Sequence, residues 1–342
     1  MKALVLRETA LIENKPLVLQ DLPIPQPGEK QIRVKISACG LCHTELDEIE
    51  GRLQPKLPVI LGHQIVGKVE SLGVGATKFK QGKRVGIAWI NSACGRCTFC
   101  RQGNENLCPD FLGTGCDVNG GYAQYTVVSE DFAYSIPDIF SDSAAAPLLC
   151  AGAIGYRGLR LTGLRDGQIL GLFGFGASAH IVIQIVKYKY PNSRVFVFTR
   201  TGQKDHQNLA TRLGADWVGA TGEIPPEKIN CAIDCTPVWK PIVEALRVLE
   251  KGGRIVINVI RKENKDKESL LKLDYSSHLW LEKEIKTVAN ITPQDVEEFL
   301  LLAAEIQIMP QVQEFEFEQV NEALILLKQG KMQGAGILKI PK

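Results

Sequence analysis

The sequence lacks the features that would place a protein in a membrane, in a secretory pathway or on a nucleic acid. No uncharged run reaches the roughly 18 residues of a membrane-spanning helix, and the first residues, MKALVLRETA, hold only a short apolar run before Arg7. An export signal needs a longer one. An excess of one charge is also missing, since 40 Lys and Arg accompany 38 Asp and Glu, a formal net charge of +2. We therefore expect a cytoplasmic protein with no membrane partner and no nucleic-acid partner.

Cysteine, in contrast, is present ten times in the 342 residues. Without an export signal, these residues are expected to be reduced thiols that bind metal or take part in chemistry, rather than a disulfide framework. The length of the chain favours two domains, each large enough to bury its own core.

The pattern of apolar residues differs between the first part of the chain and the part that follows. Up to about residue 151, short alternating apolar segments are separated by Gly and Pro, which is typical of an irregular β-rich domain. From about Gln168, apolar runs alternate with helical stretches, which predicts βαβ units and a doubly wound parallel sheet. We predict an α/β protein with one domain over 1–151, completed by 290–342, and a second over 152–289. The run GRIVINV (253–259) is a candidate edge strand for pairing between subunits.

Four cysteines form a first candidate metal site. They follow C-x2-C-x2-C-x7-C within SACGRCTFCRQGNENLC and are Cys94, Cys97, Cys100 and Cys108. Four thiolates on a short loop can close a tetrahedral zinc shell, which leaves no position for a substrate. Four buried reduced cysteines and an iron–sulfur cluster are the alternatives; the shape of the loop favours zinc.

A second candidate site combines Cys42 in CGLCHTEL, His63 in LGHQIVG and Cys150 in APLLCAG. Two thiolates and one imidazole balance the charge of Zn²⁺ and leave a fourth position open for a water or a substrate oxygen. Each residue taken alone is compatible with ordinary packing, so the inference depends on the combination.

These segments, with GGYAQY and a glycine-rich loop described below, stand in the order found in the zinc-containing alcohol dehydrogenases of the medium-chain dehydrogenase/reductase superfamily. The chain resembles that family over nearly its whole length, and is nearer its cinnamyl-alcohol-type and bacterial aldehyde-reducing branches. The resemblance implies a GroES-like catalytic domain and a Rossmann domain. It also implies two zinc ions per chain, a catalytic one on Cys42, His63 and Cys150 and a structural one on the four-cysteine lobe.

The resemblance assigns two further roles near Cys42. The hydroxyl of Thr44 matches the residue that hydrogen-bonds the substrate oxygen, although a helix cap is an alternative. His43 matches a contact with the coenzyme phosphates, although it could equally be a surface histidine.

Three departures from the family pattern accompany these matches. The usual Gly-His-Glu is Gly62-His63-Gln64. The usual Asp behind the histidine ligand is Glu45, which is longer by one methylene but still able to orient His63 by accepting its free N–H. Asp47 stands where many members carry a relay histidine, so a histidine relay is not expected.

The candidate dinucleotide loop is Gly174-Phe175-Gly176-Ala177-Ser178-Ala179, a G-x-G-x-x-A pattern between an apolar strand and a helix. Gly174 permits the tight turn, and Gly176 lets the backbone, including that of Phe175 and Ala177, approach a pyrophosphate.

The next strand ends at Thr199-Arg200, where NAD-binding versions of this fold often carry an acidic residue. A neutral Thr199 avoids repulsion of a 2′-phosphate and Arg200 can pair with it, which favours NADP over NAD. A solvated Arg200 is the alternative.

Together these observations predict an oxidoreductase that transfers a hydride between a primary alcohol or aldehyde and NADP(H) or NAD(H). A polyol dehydrogenase on the same fold is disfavoured by Cys150, since many of those carry Glu there. A non-catalytic zinc-binding interaction protein is disfavoured by the balanced charge. From the family we also expect a homodimer or homotetramer.

Overall fold

The computed structural model describes residues 1–341. Within them, the strands are β1 Lys2–Leu6, β2 Leu17–Asp21, β3 Gln31–Gly40, β4 Val59–Ile60, β5 Ile65–Leu72, β6 Arg84–Ile87, β7 Ile90–Ser92, β8 Leu112–Gly113, β9 Tyr125–Ser129, β10 Ala133–Ser135, β11 Ile169–Phe173, β12 Arg194–Thr199, β13 Trp217–Ala220, β14 Ile229–Asp234, β15 Leu249–Ile257, β16 Glu284–Thr287, β17 Val312–Glu316 and β18 Ala335–Lys339. The α-helices are α1 His43–Ile49, α2 Thr98–Arg101, α3 Asp142–Ala145, α4 Ala151–Thr162, α5 Ala177–Lys189, α6 Lys204–Arg212, α7 Lys240–Val248, α8 Pro293–Ile306 and α9 Val320–Lys328.

The chain divides into two compact units. The first is Met1–Ala153 together with the chain from Ile291 onward, and the second is Ile154–Asn290. None of the helices in residues 1–341 combines the length and the apolar character that crossing a bilayer would require.

The first unit is β-rich. Its largest sheet has the order β10-β6-β5-β3-β18-β17, with β9 also paired to β3, and β1 joins β2 and β4 in a smaller sheet. Apolar residues on β3 alternate with polar ones, so one face of the strand enters the core around Ile32, Val34 and Ile36. The C-terminal strand β18 pairs antiparallel with β3. This pairing places the end of the described chain against the first unit.

The second unit is a parallel sheet in the order β13-β12-β11-β14-β15-β16. The strand order reverses between β11 and β14, which is where doubly wound folds bind dinucleotides. Every residue of β11 is buried, as are all but the first of β12, which explains their continuous apolar sequences.

The prediction that GRIVINV forms an edge strand is wrong. GRIVINV lies mostly in β15, which pairs with both β14 and β16 and is therefore internal. The edge on this side of the sheet is β16, a short and fully exposed strand that carries alternating charged residues. Its polar composition gave no apolar run to indicate a strand.

Candidate active site

Three segments of the first unit converge on one point. Cys42 lies two residues after β3 and is the N-cap of α1, His63 lies in the loop between β4 and β5, and Cys150 ends a 3-10 turn just before α4. Their Sγ and ring nitrogen atoms all lie within 4.8 Å of one another. Sequence positions more than 100 residues apart are thus brought together by the β3–β5 pairing and the turn that leads into α4.

The separations fit a zinc ion. Cys42 Sγ lies 3.9 Å from Cys150 Sγ, and His63 Nε2 lies 3.3 Å from Cys150 Sγ. Zinc–sulfur bonds of about 2.3 Å and zinc–nitrogen bonds of about 2.0 Å in a tetrahedron place the donor atoms about 3.5–3.8 Å apart. The donor set offers three ligands, which leaves one tetrahedral position.

A glycine fixes the direction of His63. Gly62 has φ +96°, and a Cβ atom there would lie 2.7 Å from the ring of Tyr122 and 2.8 Å from Cys39 Sγ. Only glycine adopts this conformation and fits this space without strain. His63 itself is buried, and its ring meets Trp89 edge-on at 5.1 Å between centroids.

Glu45 lies behind the ring of His63, as expected from the sequence. Glu45 Oε1 is 2.7 Å from His63 Nδ1, and the Cys42 amide donates to Glu45 Oε2 at 2.7 Å. Burial lowers the pKa of His63, but the Glu45 carboxylate and the Cys42 thiolate outweigh this effect and raise it well above its usual value. The contact leaves Nε2 of His63 directed at the two sulfurs.

The two thiols of the cluster, Cys42 and Cys150, differ in pKa. The hydrogen bond from Cys150 and the neighbouring His63 hold the pKa of Cys42 well below its usual value. A thiolate is the form that binds metal, so the cluster favours a cation even before the second thiol ionises.

Thr44, His43 and Asp47 of α1 lie in different environments. Thr44 is buried, and its Oγ1 lies 3.5 Å from Cys42 Sγ; it is not the helix cap, because Cys42 occupies that position. His43 is exposed. Asp47 forms an ion pair with Arg52.

Glu48 was not singled out from the sequence. It lies one turn after Glu45, and burial raises the pKa of its carboxyl well above the usual value. The i, i+3 spacing from Glu45 was the available signal, because it places both carboxyls on one face of the helix.

The four-cysteine lobe also fits a zinc ion. Sulfur–sulfur distances are 3.5 Å for Cys94–Cys108, 3.6 Å for Cys97–Cys100 and 4.0 Å for Cys94–Cys100. Backbone amides of Arg96 and Cys97 hold the pKa of Cys94 down to about 6. Four such donors fill a tetrahedral shell, so this lobe has no position for a substrate.

In the second unit, the glycine-rich loop joins β11 to α5. Gly174 has φ +82°, and a Cβ atom there would lie 2.8 Å from Thr236 Cγ2, whereas a Cβ on Gly176 would meet nothing within 4 Å. Gly176 and Ala177 are exposed, while Phe175 is buried. Gly176 is the N-cap of α5 and supplies no side-chain acceptor. The loop therefore offers exposed amides to an anion, as a dinucleotide pyrophosphate requires.

The two residues expected to select the coenzyme, Thr199 and Arg200, differ in their exposure at the end of β12. Thr199 is buried, its hydroxyl accepts a hydrogen bond from Gln207 Nε2 at 3.0 Å, and it donates to the Gly219 carbonyl at 3.5 Å. Arg200 is exposed. The threonine hydroxyl is thus used within the protein, and the guanidinium is the group available to a ligand.

Comparison with known proteins agrees with this geometry. Residues 28–138 match the family model of the alcohol dehydrogenase GroES-like domain. A Mycobacterium tuberculosis protein named "Probable alcohol dehydrogenase AdhA" is 38% identical over 99% of this chain and 97% of its own length. An alcohol dehydrogenase of Geobacillus stearothermophilus is 34% identical, with 99% of both chains covered.

Solved structures share the fold. The alcohol dehydrogenase of the archaeon Aeropyrum pernix superposes with a TM-score of 0.85 at 26% identity, with 100% of both chains covered. A cinnamyl alcohol dehydrogenase of Sorghum bicolor superposes with a TM-score of 0.84 at 24% identity, covering 99% of this chain and 97% of its own.

Proposed function

Because the chain belongs to the zinc-containing alcohol dehydrogenases of the medium-chain dehydrogenase/reductase superfamily, we propose that Cys42, His63 and Cys150 are its catalytic zinc ligands. The activity of the family, hydride exchange between an alcohol or aldehyde and a nicotinamide dinucleotide with zinc as the metal, is its activity. The observation that supports the ligand assignment is the convergence of two sulfurs and one imidazole nitrogen within 4.8 Å. Cys94, Cys97, Cys100 and Cys108 are assigned to the structural zinc.

Glu45 and Thr44 have separate roles around the reacting oxygen of the substrate. Zinc, when bound, supplies Lewis acidity toward that oxygen, and the nicotinamide supplies or accepts the hydride. Glu45 holds the tautomer of His63 that leaves Nε2 free to bind the metal. Thr44 Oγ1, beside Cys42 Sγ, accepts the proton of a substrate hydroxyl during oxidation while its own hydroxyl proton passes to solvent, and both transfers reverse during reduction.

The proton leaves Thr44 by a route other than a relay histidine. Asp47 occupies that position and is ion-paired with Arg52, so its carboxylate is held by a cation. Exposed His43 at the start of α1 is assigned to the coenzyme phosphates, as the family pattern implies.

For the coenzyme, we infer a preference for NADP(H). Arg200 is exposed at the end of β12 and Thr199 is neutral, so a 2′-phosphate meets a cation and no carboxylate from these two residues. Gly174, Phe175, Gly176 and Ala177 bind the pyrophosphate through their backbone. A preference for NADPH would make aldehyde reduction the cellular direction.

A panel of primary aldehydes assayed with NADPH and with NADH tests this assignment directly. We expect reduction with both coenzymes and a higher kcat/KM with NADPH. Cys42→Ala should abolish turnover and lower the zinc content from two ions to one per chain while the fold is kept. A Cys42→Ala enzyme that retains activity and two zinc ions would refute the ligand assignment.

We propose a homodimer formed through β16. This strand lies at the edge of the parallel sheet, and Ile285 in its middle is 46% exposed. Pairing of β16 with the same strand of a second subunit would continue the sheet across the two subunits. It would also give hydrogen-bond partners to the backbone groups on the outer side of β16. Light scattering of Ile285→Asp should show a smaller mass than wild type, with Val74→Asp, an exposed apolar position in the first unit, as the control. Equal masses for all three proteins at the dimer or monomer value would contradict this interface.

A further inference from the structure

The carboxyl ends of β11 and β14 lie side by side where the strand order reverses. Phe173 pairs with Asp234 in the parallel register, and each strand then turns into a loop. Thr236, two residues after Asp234, packs its methyl group against Gly174, at the start of the glycine-rich loop. The loop after β14 therefore forms one wall of the proposed pyrophosphate site.

A buried ion pair lies beneath this wall. Lys262 Nζ contacts Asp234 Oδ2, and the two side chains are 8% and 0% exposed. The ammonium also donates to the carbonyls of Thr236 at 2.7 Å and Val238 at 2.8 Å. Three acceptors thus satisfy the three donors of the lysine.

The other carboxylate oxygen of Asp234 accepts two hydrogen bonds from Thr236. This oxygen, Oδ1, accepts the Thr236 hydroxyl at 2.7 Å and the Thr236 amide at 3.1 Å. The orientation of Thr236 against Gly174 therefore depends on a carboxylate whose charge is balanced only by Lys262 among the contacts described above.

The segment that carries Lys262 is anchored on both sides of the ion pair. At one end, the Asn258 side chain donates to Ser178 Oγ of the glycine-rich loop at 3.2 Å. At the other end, Asp266 accepts the amides of Trp239 and Lys240 at the start of α7, at 2.9 and 2.8 Å. Residues 258–266, here called the brace segment, thus cross the carboxyl edge of the sheet and reach the loop by a second contact.

We propose that the Asp234–Lys262 pair is a positioning device for the coenzyme, which holds Thr236 and Asn258 against the glycine-rich loop and so preorganises that loop for a dinucleotide pyrophosphate. The inference rests on the proposed role of the loop in coenzyme binding. Its physical basis is that a buried charge without its partner is strongly unfavourable, so loss of either residue displaces the brace segment. Binding then has to order the loop again, which weakens affinity.

The test uses the full-length, zinc-loaded enzyme and the dissociation constant of NADPH measured by tryptophan fluorescence. Asp234→Asn and Lys262→Met are each expected to bind NADPH about tenfold more weakly, with two zinc ions per chain retained. The matched control is Glu227→Gln, which breaks the exposed Arg194–Glu227 pair at the amino edge of the same sheet and should leave the dissociation constant unchanged.

The double variant Asp234→Asn/Lys262→Met separates positioning from stability. Removing both charges leaves no unpaired ion, so its thermal midpoint should recover toward wild type. Its affinity for NADPH should stay low, because Thr236 and the brace segment have still lost their anchor. Wild-type affinity in a folded double variant would overturn the proposal.

Hydrogen exchange on the wild-type enzyme provides a test that does not depend on how the variants fold. NADPH should protect amides in 174–180 and, together with them, amides in 234–238 and 258–266. Protection confined to 174–180 would overturn the positioning role and leave the proposed coenzyme site intact. Absence of protection in 174–180 would instead overturn that coenzyme site and the positioning role with it.

Discussion

Glu45 Oε1 lies 2.7 Å from His63 Nδ1, while the other oxygen of the same carboxylate accepts the Cys42 amide at 2.7 Å. One fully buried side chain therefore fixes the ring of one proposed zinc ligand and the backbone of another.

Glu45→Gln should weaken zinc binding at the catalytic site by about 10- to 100-fold, the usual cost of losing the partner of a histidine ligand. The amide oxygen can still accept a hydrogen bond, but the negative charge near His63 is lost. Competition with a chromogenic chelator measures the affinity. Glu29→Gln, at an exposed position, is the control; equal zinc affinity in the two variants would exclude this role for Glu45.

Cys94→Ser combined with Cys108→Ser should reduce the zinc content from two ions to one per chain and lower the thermal midpoint. The lobe has no other described function for these sulfurs, and a structural zinc contributes directly to folding energy. Metal analysis and calorimetry measure the two effects. Cys116→Ser, a cysteine outside both clusters, should keep both ions. Two ions in the double variant would show that the lobe does not bind zinc.

Gly174→Ala and Gly176→Ala should have different effects. Gly174 has φ +82° and faces Thr236 Cγ2 at 2.8 Å from its missing Cβ, so alanine there should cost at least about 1–2 kcal/mol of stability. Gly176 faces open space, so alanine there should preserve the thermal midpoint and weaken coenzyme binding by obstructing the pyrophosphate. Thermal unfolding and coenzyme titration of both variants measure this contrast. Unchanged coenzyme affinity in Gly176→Ala would contradict the assignment of the loop.

Arg200→Gln should lower the ratio of kcat/KM for NADPH to that for NADH by about tenfold or more, since a hydrogen bond to a charged group contributes about 1.5–3 kcal/mol. The effect should come from NADPH alone, because NADH has no 2′-phosphate. Arg212→Gln, another exposed arginine of the same unit, provides the comparison. An unchanged ratio in Arg200→Gln would mean that Arg200 is a solvated surface residue.

Local sequence patterns predicted much of the fold because they reflect local physics. The alternation of apolar runs and helical stretches predicted from about Gln168 is observed in β11, α5 and β12, because strands buried on both faces have continuous apolar sequences. α8 likewise has a local start signal, because Thr292 accepts the Asp295 amide as an N-cap. β16 was missed because an exposed edge strand need not be apolar.

The amino-acid sequence by itself determined the candidate site residues of this protein. They are two cysteines and one histidine for the proposed catalytic zinc, the four-cysteine lobe for the proposed structural zinc, and a glycine-rich turn between a strand and a helix. Their spacing and type are properties of the chain that no packing alters. Only the tertiary structure decided which charged groups meet. It paired Asp47 with Arg52, and Asp234 with Lys262. These partners depend on strand register and loop paths, which arise from burial across the whole domain rather than from any local pattern of residues.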